Sequence, residues 1–404
     1  MTPDSSAVDF SLISEAFQAD PPATFAVLRQ RCPLHRATVP APHFTLSREA
    51  DVTAALRDHD LWSSAAGPGL AHAEPGRGVL VASDPPVHTE ERLAISRAFR
   101  PSVLEAMEPE IRGLVDELID GLIGRGSGDL ISDVASPVPL TVMCWLLGLP
   151  VGDIALFRSW VLPMAEAVSM AGGHQANQTV VDAYQAFYAY FGPHIDSRAG
   201  AIAAGEPVPA DLLTRLLTVE RDGRRLSAQQ VLGFCQFLLV AGSETTTLLI
   251  GNVIHRLMEH PDQMALLRAD RSLAVAAIEE SLRFDSPVHG LFRTNTRRVE
   301  MHGVEIPEES KALMLFGSAN RDPEAWSDPD RFDITRDPAD LRRRHASFGV
   351  GIHYCLGAPL SRIEARVVLE AVLDRMPKLR PDGDPTGVDA GVLKGFETLP
   401  VRWD

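Results

Sequence analysis

The sequence has few cysteines, and their placement argues against a fold held together by disulfides. Four cysteines occur in 404 residues, at Cys32, Cys144, Cys235 and Cys355, and no two of them form a CxxC pair. Secreted proteins that depend on disulfides are usually short and rich in cysteine. The sequence therefore predicts a protein of a reducing compartment, for which the cytoplasm fits best.

Signals for membranes and nucleic acids are also missing. The first residues, MTPDSSAVDF, are acidic and polar where a signal peptide is basic and then apolar, and no uncharged apolar run reaches the length of a membrane span. The formal net charge of −16 argues against a general nucleic-acid binder and against attraction to anionic lipid. We expect a complete cytoplasmic protein with no membrane anchor and no nucleic-acid partner.

Helical periodicity is present over most of the chain. Hydrophobic residues make up 45% of the composition, and no internal repeat or long low-complexity linker divides the sequence. Strand-like alternation is confined to short pieces, most clearly His43 to Leu46 and 299–316. The predicted fold is mainly α with a small β region, in one domain over 1–404. Apolar residues recur at spacings of three and four over roughly 90–100, 103–124, 139–148, 152–170, 179–204, 210–219, 228–260, 263–269, 272–284 and 356–376.

The longest predicted helix covers about 33 residues, from 228 to 260. Ser227 followed by Gln230 predicts a capping box at its start. Large apolar residues are replaced in the middle of one face by small or hydroxylated ones: Ala241, Gly242 and Thr245. This pattern indicates that something flat packs against the helix. The alternative is a Gly/Thr kink that relieves crowding.

A second informative stretch, HASFGVGIHYCLGAPLSRIEA at 345–365, surrounds one cysteine with glycines. Gly349 and Gly351 permit tight or left-handed turns, and an amphipathic helix pattern begins at Leu356. Cys355 is therefore predicted at a helix N-terminus, where backbone N–H groups and the helix dipole lower the pKa of a thiol. The pattern favours a thiolate ligand, although a small buried cysteine is the alternative for this residue alone.

The pattern Phe348-Gly349-x-Gly351-x-His353-x-Cys355-x-Gly357 resembles the signature of the cytochrome P450 family, the haem-thiolate monooxygenases. The resemblance implies the bacterial P450 fold, with haem b between the long central helix and the cysteine loop. Other similar segments follow in the family's order along nearly the whole chain: DPPVHTEER (84–92), AGSETT (241–246), EESLR (279–283), LFRTNT (291–296) and SANRDPEAWSDPDRFD (318–333).

The same resemblance implies the residues of the haem site. Cys355 would be the proximal thiolate on the iron, where its electron donation favours O–O cleavage. Phe348 would shield the sulfur from water, and the amides near Leu356 and Gly357 would moderate its charge. Haem propionates need cationic or hydrogen-bonding partners. The partners implied by motif position are His88, Arg92, Arg293 and His353.

On the oxygen side, the resemblance implies that Ala241 and Gly242 face the haem. Glu244 and Thr245 take the positions of the family's acid–alcohol pair. Thr245 would hydrogen-bond the bound oxygen or a water beside it, and Glu244 would help to bring protons from solvent. Many relatives carry Asp at the acid position, so the longer Glu244 departs from the usual residue.

Two further sets of residues follow from the resemblance. Glu280 and Arg283 are similar to the family's buried Glu-x-x-Arg pair, with Arg331 as third partner and a structural role. Gly-rich 66–78 and Met170 to Gly173 suggest a mobile entrance. His289 is a candidate for orienting a polar group on the substrate, and the alternative is a core or haem-edge histidine. Substrate contacts are expected from the loop 63–81, the helices around 160–195, and Leu238, Ala241, Val288, His289, Leu291, Phe292 and Phe396.

The resemblance also implies the reaction and its partners. No segment is similar to a flavin or iron–sulfur domain, so electrons would come from a separate ferredoxin or flavodoxin with its reductase. The predicted reaction inserts one oxygen atom from O2 into a small, largely apolar substrate by hydroxylation, epoxidation or dealkylation. The alternatives are a peroxide-driven peroxygenase and a non-enzymatic haem sensor or carrier. Basic residues that form either a cationic docking patch or a solvated face are Arg97, Arg100, Arg342, Arg343, Arg344, Arg362 and Arg366.

Overall fold

The computed structural model describes residues 10–74, 76, 78–169, 178–221, 224–388 and 391–404. Helices dominate these residues and the strands are short, which confirms a mainly α fold with a small β region. The α-helices are Glu15–Ala19, Pro21–Arg31, Glu49–Arg57, Val87–Ile95, Pro101–Ile123, Pro137–Leu147, Ile154–Ser169, Gln178–Ala203, Leu212–Thr218, Ala228–Glu259, Pro261–Ala269, Ala274–Phe284, Phe316–Ala319, Pro338–Arg344 and Ala358–Arg375. The strands are Leu34–Ala37, His43–Leu46, Trp62–Ser63, Ser127–Asp129, Glu220–Arg221, Arg224–Arg225, Leu291–Asn295, Val299–Met301, Val304–Ile306, Lys311–Met314, Arg380–Pro381, Thr386–Gly387, Phe396–Thr398 and Pro400–Arg402.

The helix Ala228–Glu259, called the long helix below, runs through the core. Its predicted capping box is present: the Gln230 N–H donates to Ser227 Oγ at 3.2 Å, and the Ser227 N–H donates to Gln230 Oε1 at 2.9 Å. Such a cap stabilises a helix start by about 1 kcal/mol. The helix packs against Pro137–Leu147 and Ala358–Arg375. The buried apolar residues of its second half are Leu248, Leu249, Ile250, Val253, Ile254 and Leu257.

Hydroxyl groups in the middle of the long helix donate to its own backbone. Ser243 Oγ donates to Leu239 O at 2.7 Å, Thr245 Oγ1 to Ala241 O at 2.9 Å, and Thr247 Oγ1 to Ser243 O at 3.1 Å. These bonds to the residue four positions earlier compete with the helical ladder. The segment remains α-helical from Ala228 to Glu259 all the same.

A five-stranded sheet forms a second layer beside the helices. Its strand order is Leu34–Ala37, His43–Leu46, Lys311–Met314, Leu291–Asn295 and Trp62–Ser63, and only the pair His43–Leu46 with Lys311–Met314 is parallel. Successive side chains of a strand point to opposite faces. Leu291 and Arg293 therefore share one face of this sheet, and Phe292 lies on the other.

Each helix predicted from periodicity is present, with its ends shifted by a few residues. The segment 90–100 is a helix, Val87–Ile95, followed by the 3-10 turn Ser96–Phe99. The predicted strand at His43–Leu46 has those bounds, and 299–316 contains three strands. Met170 to Gly173 lies outside the described residues, and the assignment of one domain to 1–404 stays a prediction.

Among the described residues, the long helix has the length and hydropathy of a membrane span. In its most apolar window, 67% of the residues are buried inside the protein. Packing in the core accounts for this apolar composition.

Candidate active site

A cavity lies between the middle of the long helix and the loop that carries Cys355. Its empty space, including the opening to solvent, is about 1450 Å³, and its walls are mostly apolar. That space is enough for a large planar group together with a small ligand. The structure brings these predicted residues to its walls: His88, Arg92, Leu238, Ala241, Gly242, Thr245, Val288, Leu291, Arg293, Phe348, His353, Cys355 and Gly357.

The glycines of the cysteine loop have the conformations that their positions require. Gly349 and Gly351 have φ angles of 70° and 77°, in the left-handed region that side chains rarely adopt. A Cβ on Gly351 would also lie 2.7 Å from the carbonyl oxygen of Leu56. The turn is closed by the Cys355 N–H, which donates to Phe348 O at 2.8 Å. These constraints fix the cysteine at the floor of the cavity.

Cys355 lies just before the helix Ala358–Arg375, as the sequence predicted. Its side chain is accessible from the cavity and enclosed by protein on its other sides. Burial raises the pKa of the thiol, and hydrogen bonds from the backbone N–H groups of Gly357 and Ala358 lower it in part. The expectation of a lowered pKa was therefore wrong for the protein alone, because burial outweighs the helix terminus. The two N–H groups are nevertheless directed at the sulfur, as a thiolate ligand requires.

Two histidines and two arginines form a cationic rim at one edge of the cavity, whose positive charge comes from the arginines. The rings of His88 and His353 lie 4.2 Å apart between centroids. Arg92 Nη2 donates to Tyr354 O at 2.8 Å, and Arg293 Nη1 donates to Phe292 O at 2.9 Å. Burial lowers the pKa of Arg293 to about 10 and that of His353 to about 2. Such a cluster is costly to bury and favours an anion in the cavity.

Of the acid–alcohol pair, Thr245 lines the cavity and Glu244 does not. Thr245 lines the cavity, and its Oγ1 donates to Ala241 O at 2.9 Å. The threonine oxygen can therefore accept a hydrogen bond from a ligand or a water. Glu244 is half-buried and lies outside the cavity lining. Gly242 contributes backbone to the cavity, while its Cβ direction points at Met143 Sδ, 2.7 Å away.

Three residues expected to touch substrate lie outside the cavity lining: His289, Phe292 and Phe396. His289 packs against the rings of Phe17 and Phe25, and burial lowers its pKa to about 3, so it is the core histidine that was the alternative. Phe292 points away because it alternates with Leu291 and Arg293 along its strand, and it packs on His43. Phe396 packs on His255.

The predicted Glu280–Arg283 pair is present, and both side chains are fully buried. Arg283 Nε and Nη2 donate to the Glu280 carboxylate at 2.7 and 2.8 Å. Arg331 takes part only through its carbonyl oxygen, which accepts from Arg283 Nη2 at 3.1 Å, while its own side chain is 64% exposed. The side chain that completes the network is Arg336, with Nε 3.3 Å from Glu280 Oε1. The assignment of Arg331 as third partner is corrected accordingly.

Much of the predicted basic patch is neutralised by carboxylates. Arg342 and Arg362 pair with the buried Glu279. Three more of these arginines have carboxylate partners: Asp340 for Arg343 and Arg344, and Glu108 with Glu370 for Arg366.

Sequence reasoning missed Glu364, a buried carboxyl group at the cavity wall. Burial raises its pKa well above the usual value of 4.5. Its Oε2 has no hydrogen-bond partner among the described residues. The available signal was its position between Leu360 and Val368, on the apolar face of the helix. Met143 and Phe237 also line the cavity and were not predicted.

A metal in this cavity needs more than the protein's own side chains. In the described part of the chain, no group of three or more His, Cys, Asp or Glu residues is arranged to hold a metal ion. A macrocycle that supplies most of the ligands, with Cys355 as one more, fits the residues present.

Comparisons with known proteins agree with this site. A family model described as Cytochrome P450 matches residues 168–389, more than half of the chain. Cytochrome P450 monooxygenase PikC of Streptomyces venezuelae is 37% identical over 98% of this chain and 94% of its own length. Cyclomarin C epoxidase CymV of Salinispora arenicola is 36% identical over 89% of each chain.

Solved structures extend the likeness to the whole fold. Cytochrome P450 CYP109Q5 from Chondromyces apiculatus has a TM-score of 0.85, with 35% identity over 98% of both chains. The predicted fold, the haem b cofactor and the monooxygenase activity are thereby confirmed. The chain therefore belongs to the cytochrome P450 family and is a haem b-dependent monooxygenase.

Proposed function

We propose that Cys355 binds the haem iron as a thiolate and that the cavity above it admits a small, largely apolar substrate for insertion of one oxygen atom from O2. The observation that carries this proposal is the cysteine sulfur at the floor of an apolar cavity, opposite Ala241 and Thr245 of the long helix. Bound haem b supplies an iron centre that activates dioxygen.

The cationic rim is proposed to hold the haem propionates. Arg92 and Arg293 offer charge-assisted hydrogen bonds, and His88 and His353 add ring N–H donors. Arg293 is 3% exposed, and an anion beside it would offset the cost of burying its charge. The orientation of the macrocycle then follows from the position of the rim relative to Cys355.

The oxygen side is assigned to Thr245 and Glu244. The Thr245 hydroxyl is proposed to hold a proton at the cavity, and Glu244, one residue away on the same helix, to bring protons from solvent. Phe348 is proposed to exclude water from the sulfur. The Arg362 guanidinium lies 4.5 Å from the centroid of that ring and restricts its movement.

The substrate is proposed to contact apolar residues of the cavity, chiefly Leu238, Val288 and Leu291. The name of one relative specifies cyclomarin C as the molecule that it epoxidises, and hydroxylases occur among the others. Hydroxylation, epoxidation and dealkylation are therefore all compatible with this site.

Electrons are proposed to come from a separate ferredoxin or flavodoxin with its reductase, in the cytoplasm. The face that carries Arg342 and Arg362 lies behind the cysteine loop. Because the carboxylate of Glu279 neutralises part of this charge, we expect only a moderate fall in reduction rate with added salt.

Turnover with two oxidants distinguishes the proposed function from its alternatives. The purified protein is incubated with a library of apolar compounds, either with O2, NADPH and a ferredoxin system, or with hydrogen peroxide alone. We expect product only with the electron-transfer system, and strong loss of product per electron in Thr245→Ala. Peroxide-driven product that Thr245→Ala leaves unchanged would indicate a peroxygenase, and no turnover under either condition would indicate a sensor or carrier.

A further inference from the structure

Glu91 is a buried carboxylate that the haem site does not use. It lies on the helix Val87–Ile95, between the rim residues His88 and Arg92, and it is 5% exposed. Its neighbour Glu90 is exposed to solvent. Glutamate is rarely buried without specific partners. The contacts of Glu91 therefore indicate its role.

Both partners of Glu91 belong to one turn of chain. The Leu80 N–H donates to Glu91 Oε2 at 2.7 Å, and Ser83 Oγ donates to the same oxygen at 2.6 Å. Leu80 begins the 3-10 turn Leu80–Ala82, and Ser83 directly follows it. A single carboxylate oxygen thus holds the turn at both ends.

The turn has a backbone conformation that needs such support. Leu80 has a φ of 49°, in the left-handed region that non-glycine residues rarely occupy. A residue held there persists when its surroundings determine the conformation. The φ angle describes rotation about the N–Cα bond of Leu80. The hydrogen bond from the Leu80 N–H to Glu91 fixes the direction of this N–H and therefore restrains the rotation directly.

The turn forms part of the cavity wall. Leu80 and Val81 line the cavity, and Val79 approaches Gly233 of the long helix. A change at Glu91 therefore reaches the cavity through apolar side chains rather than through the rim. His88 and Arg92 point to the haem side of the same helix, so the helix connects the cofactor and the wall.

We propose that Glu91 is a positioning residue that fixes Leu80 and Val81 at the cavity wall, and that it thereby sets how well bulky ligands fit. This inference rests on the proposed function, since it requires haem in the cavity. Without the Glu91 carboxylate as acceptor, Leu80 could move out of its left-handed conformation. A ligand that touches the turn would then have to order it on binding, and this cost would weaken the affinity.

Two haem-coordinating probes of different size test the proposal on the intact holoprotein. Imidazole reaches the iron and little else, whereas clotrimazole carries three aryl rings that extend to the walls. Their Kd values are measured from the shift of the haem absorption band. In Glu91→Leu we expect the Kd of clotrimazole to rise about tenfold and that of imidazole to stay within about twofold.

Matched variants separate positioning from general damage. Glu91→Gln keeps a carbonyl acceptor for Leu80 and Ser83, and we expect it to restore the parent ratio of the two Kd values. Glu90→Leu places the same side chain one residue away on the solvent face and should leave both Kd values unchanged. If Glu91→Leu does not accumulate, Leu80→Gly removes the wall side chain and relieves the φ angle, and the same selective loss for clotrimazole is expected.

The proposal is overturned if Glu91→Leu or Leu80→Gly binds both probes as the parent does, or if both probes weaken equally. Failure of the proposed function is a different result. In that case the parent itself would not bind imidazole at a haem iron, whatever residue stands at position 91.

Discussion

Glu279 and Glu280 are consecutive buried carboxylates on the helix Ala274–Phe284, and each holds a different set of cations. Glu280 pairs with Arg283, whose Nη1 donates to the backbone carbonyls of Asn320 and Pro329 at 3.0 and 2.8 Å. Glu279 accepts from Arg362 Nε at 2.7 Å and lies behind the cysteine loop. A buried pair adds little net stability, but removal of one partner strands the other charge. One carboxylate therefore supports the scaffold and the other supports the site.

Arg283→Leu tests the scaffold network. The substitution leaves the Glu280 carboxylate buried without its main partner and removes several hydrogen bonds to carbonyl groups. We expect a loss of roughly 3–5 kcal/mol in the free energy of unfolding and a much lower yield of haem-loaded protein. The measurements are the ratio of haem to protein absorbance after purification and the midpoint of denaturant unfolding.

Arg331→Leu is the matched control, because the Arg331 side chain is largely exposed and only its backbone joins the network. We expect a change within about 0.5 kcal/mol. Equal yields of holoprotein from both leucine variants would contradict the network.

Glu279→Gln tests the pair behind the cysteine loop through its pH dependence. Burial alone would raise the pKa of Glu279, but hydrogen bonds from His345 and Arg362 and the charge of Arg362 bring it to about 2. Burial also lowers the pKa of His345, and the cations that pair with Glu279 are Arg362 and Arg342. The folded pKa lies below the ordinary value of 4.5. The pair therefore stabilises the fold fully above pH 4.5, and this contribution is lost as the pH falls towards 2.

At pH 7 the ionised form of Glu279 favours the folded state by about 3 kcal/mol relative to its protonated form, since one pKa unit corresponds to about 1.4 kcal/mol. We expect Glu279→Gln to lose stability at pH 7 and to show a shallower fall in melting temperature between pH 5 and 3. Calorimetry over this range measures the effect, with Glu300→Gln as a control on an exposed strand. Parallel curves for Glu279→Gln and the parent would exclude the ionised pair.

At the residue scale, motif order predicted which backbone segments meet but not where every side chain points. His289 and Phe292 follow Pro287 closely, yet they pack on Phe17, Phe25 and His43 on the other face of the sheet. Strand alternation explains Phe292, and it could have been applied had the strand Leu291–Asn295 been recognised. The third partner of the Glu280–Arg283 pair is Arg336 and not Arg331 because of how a loop folds, and hydrophobic periodicity does not describe loops.

The long helix and the helix Pro137–Leu147 approach closely where Gly242 meets Met143. A Cβ on Gly242 would lie 2.7 Å from Met143 Sδ and 3.1 Å from its Cγ. Glycine in a helix interior costs about 1 kcal/mol relative to alanine. The contact with Met143 accounts for a glycine at this position.

A double-mutant cycle tests this helix–helix contact. Gly242→Ala alone should destabilise the protein by about 1–3 kcal/mol through overpacking, despite the better helix propensity of alanine. In a Met143→Ala background the new methyl group has space, and the same change should stabilise by up to about 1 kcal/mol. Thermal unfolding of the four proteins measures the coupling. Additive effects would show that Met143 does not limit residue 242.

At the element scale, helices with a clear apolar period were predictable, and so was the strand His43–Leu46, but several other short elements were not predicted. The long helix has a capping box, a proline stop and a sustained apolar stripe, so its bounds agreed within a residue. The helix Glu49–Arg57 was not predicted, although its buried Val52, Ala55 and Leu56 recur at spacings of three and four, and the strand Trp62–Ser63 has only two residues. Their place depends on contacts with distant segments, such as the pairing of Trp62 with Asn295.

At the scale of the whole molecule, the cavity combines residues from Leu56 to Glu364, so no local stretch of sequence describes it. Composition excluded classes of protein but did not indicate a haem enzyme. The site was predictable because several motifs occur in one family order, and the fold then brings them to a common cavity. What the motifs could not provide was the wall, including Met143, Phe237 and the buried Glu364, because these residues are set by packing.

The absorption spectrum of the reduced protein under carbon monoxide tests the central claim most directly. If Cys355 binds the haem iron as a thiolate, the parent shows the strongly red-shifted band of sulfur-ligated iron, and Cys355→Ala lacks it. Cys32→Ala, at a buried cysteine away from the cavity, keeps the band. A parent protein without the red-shifted band, or a Cys355→Ala protein that retains it, would contradict the account.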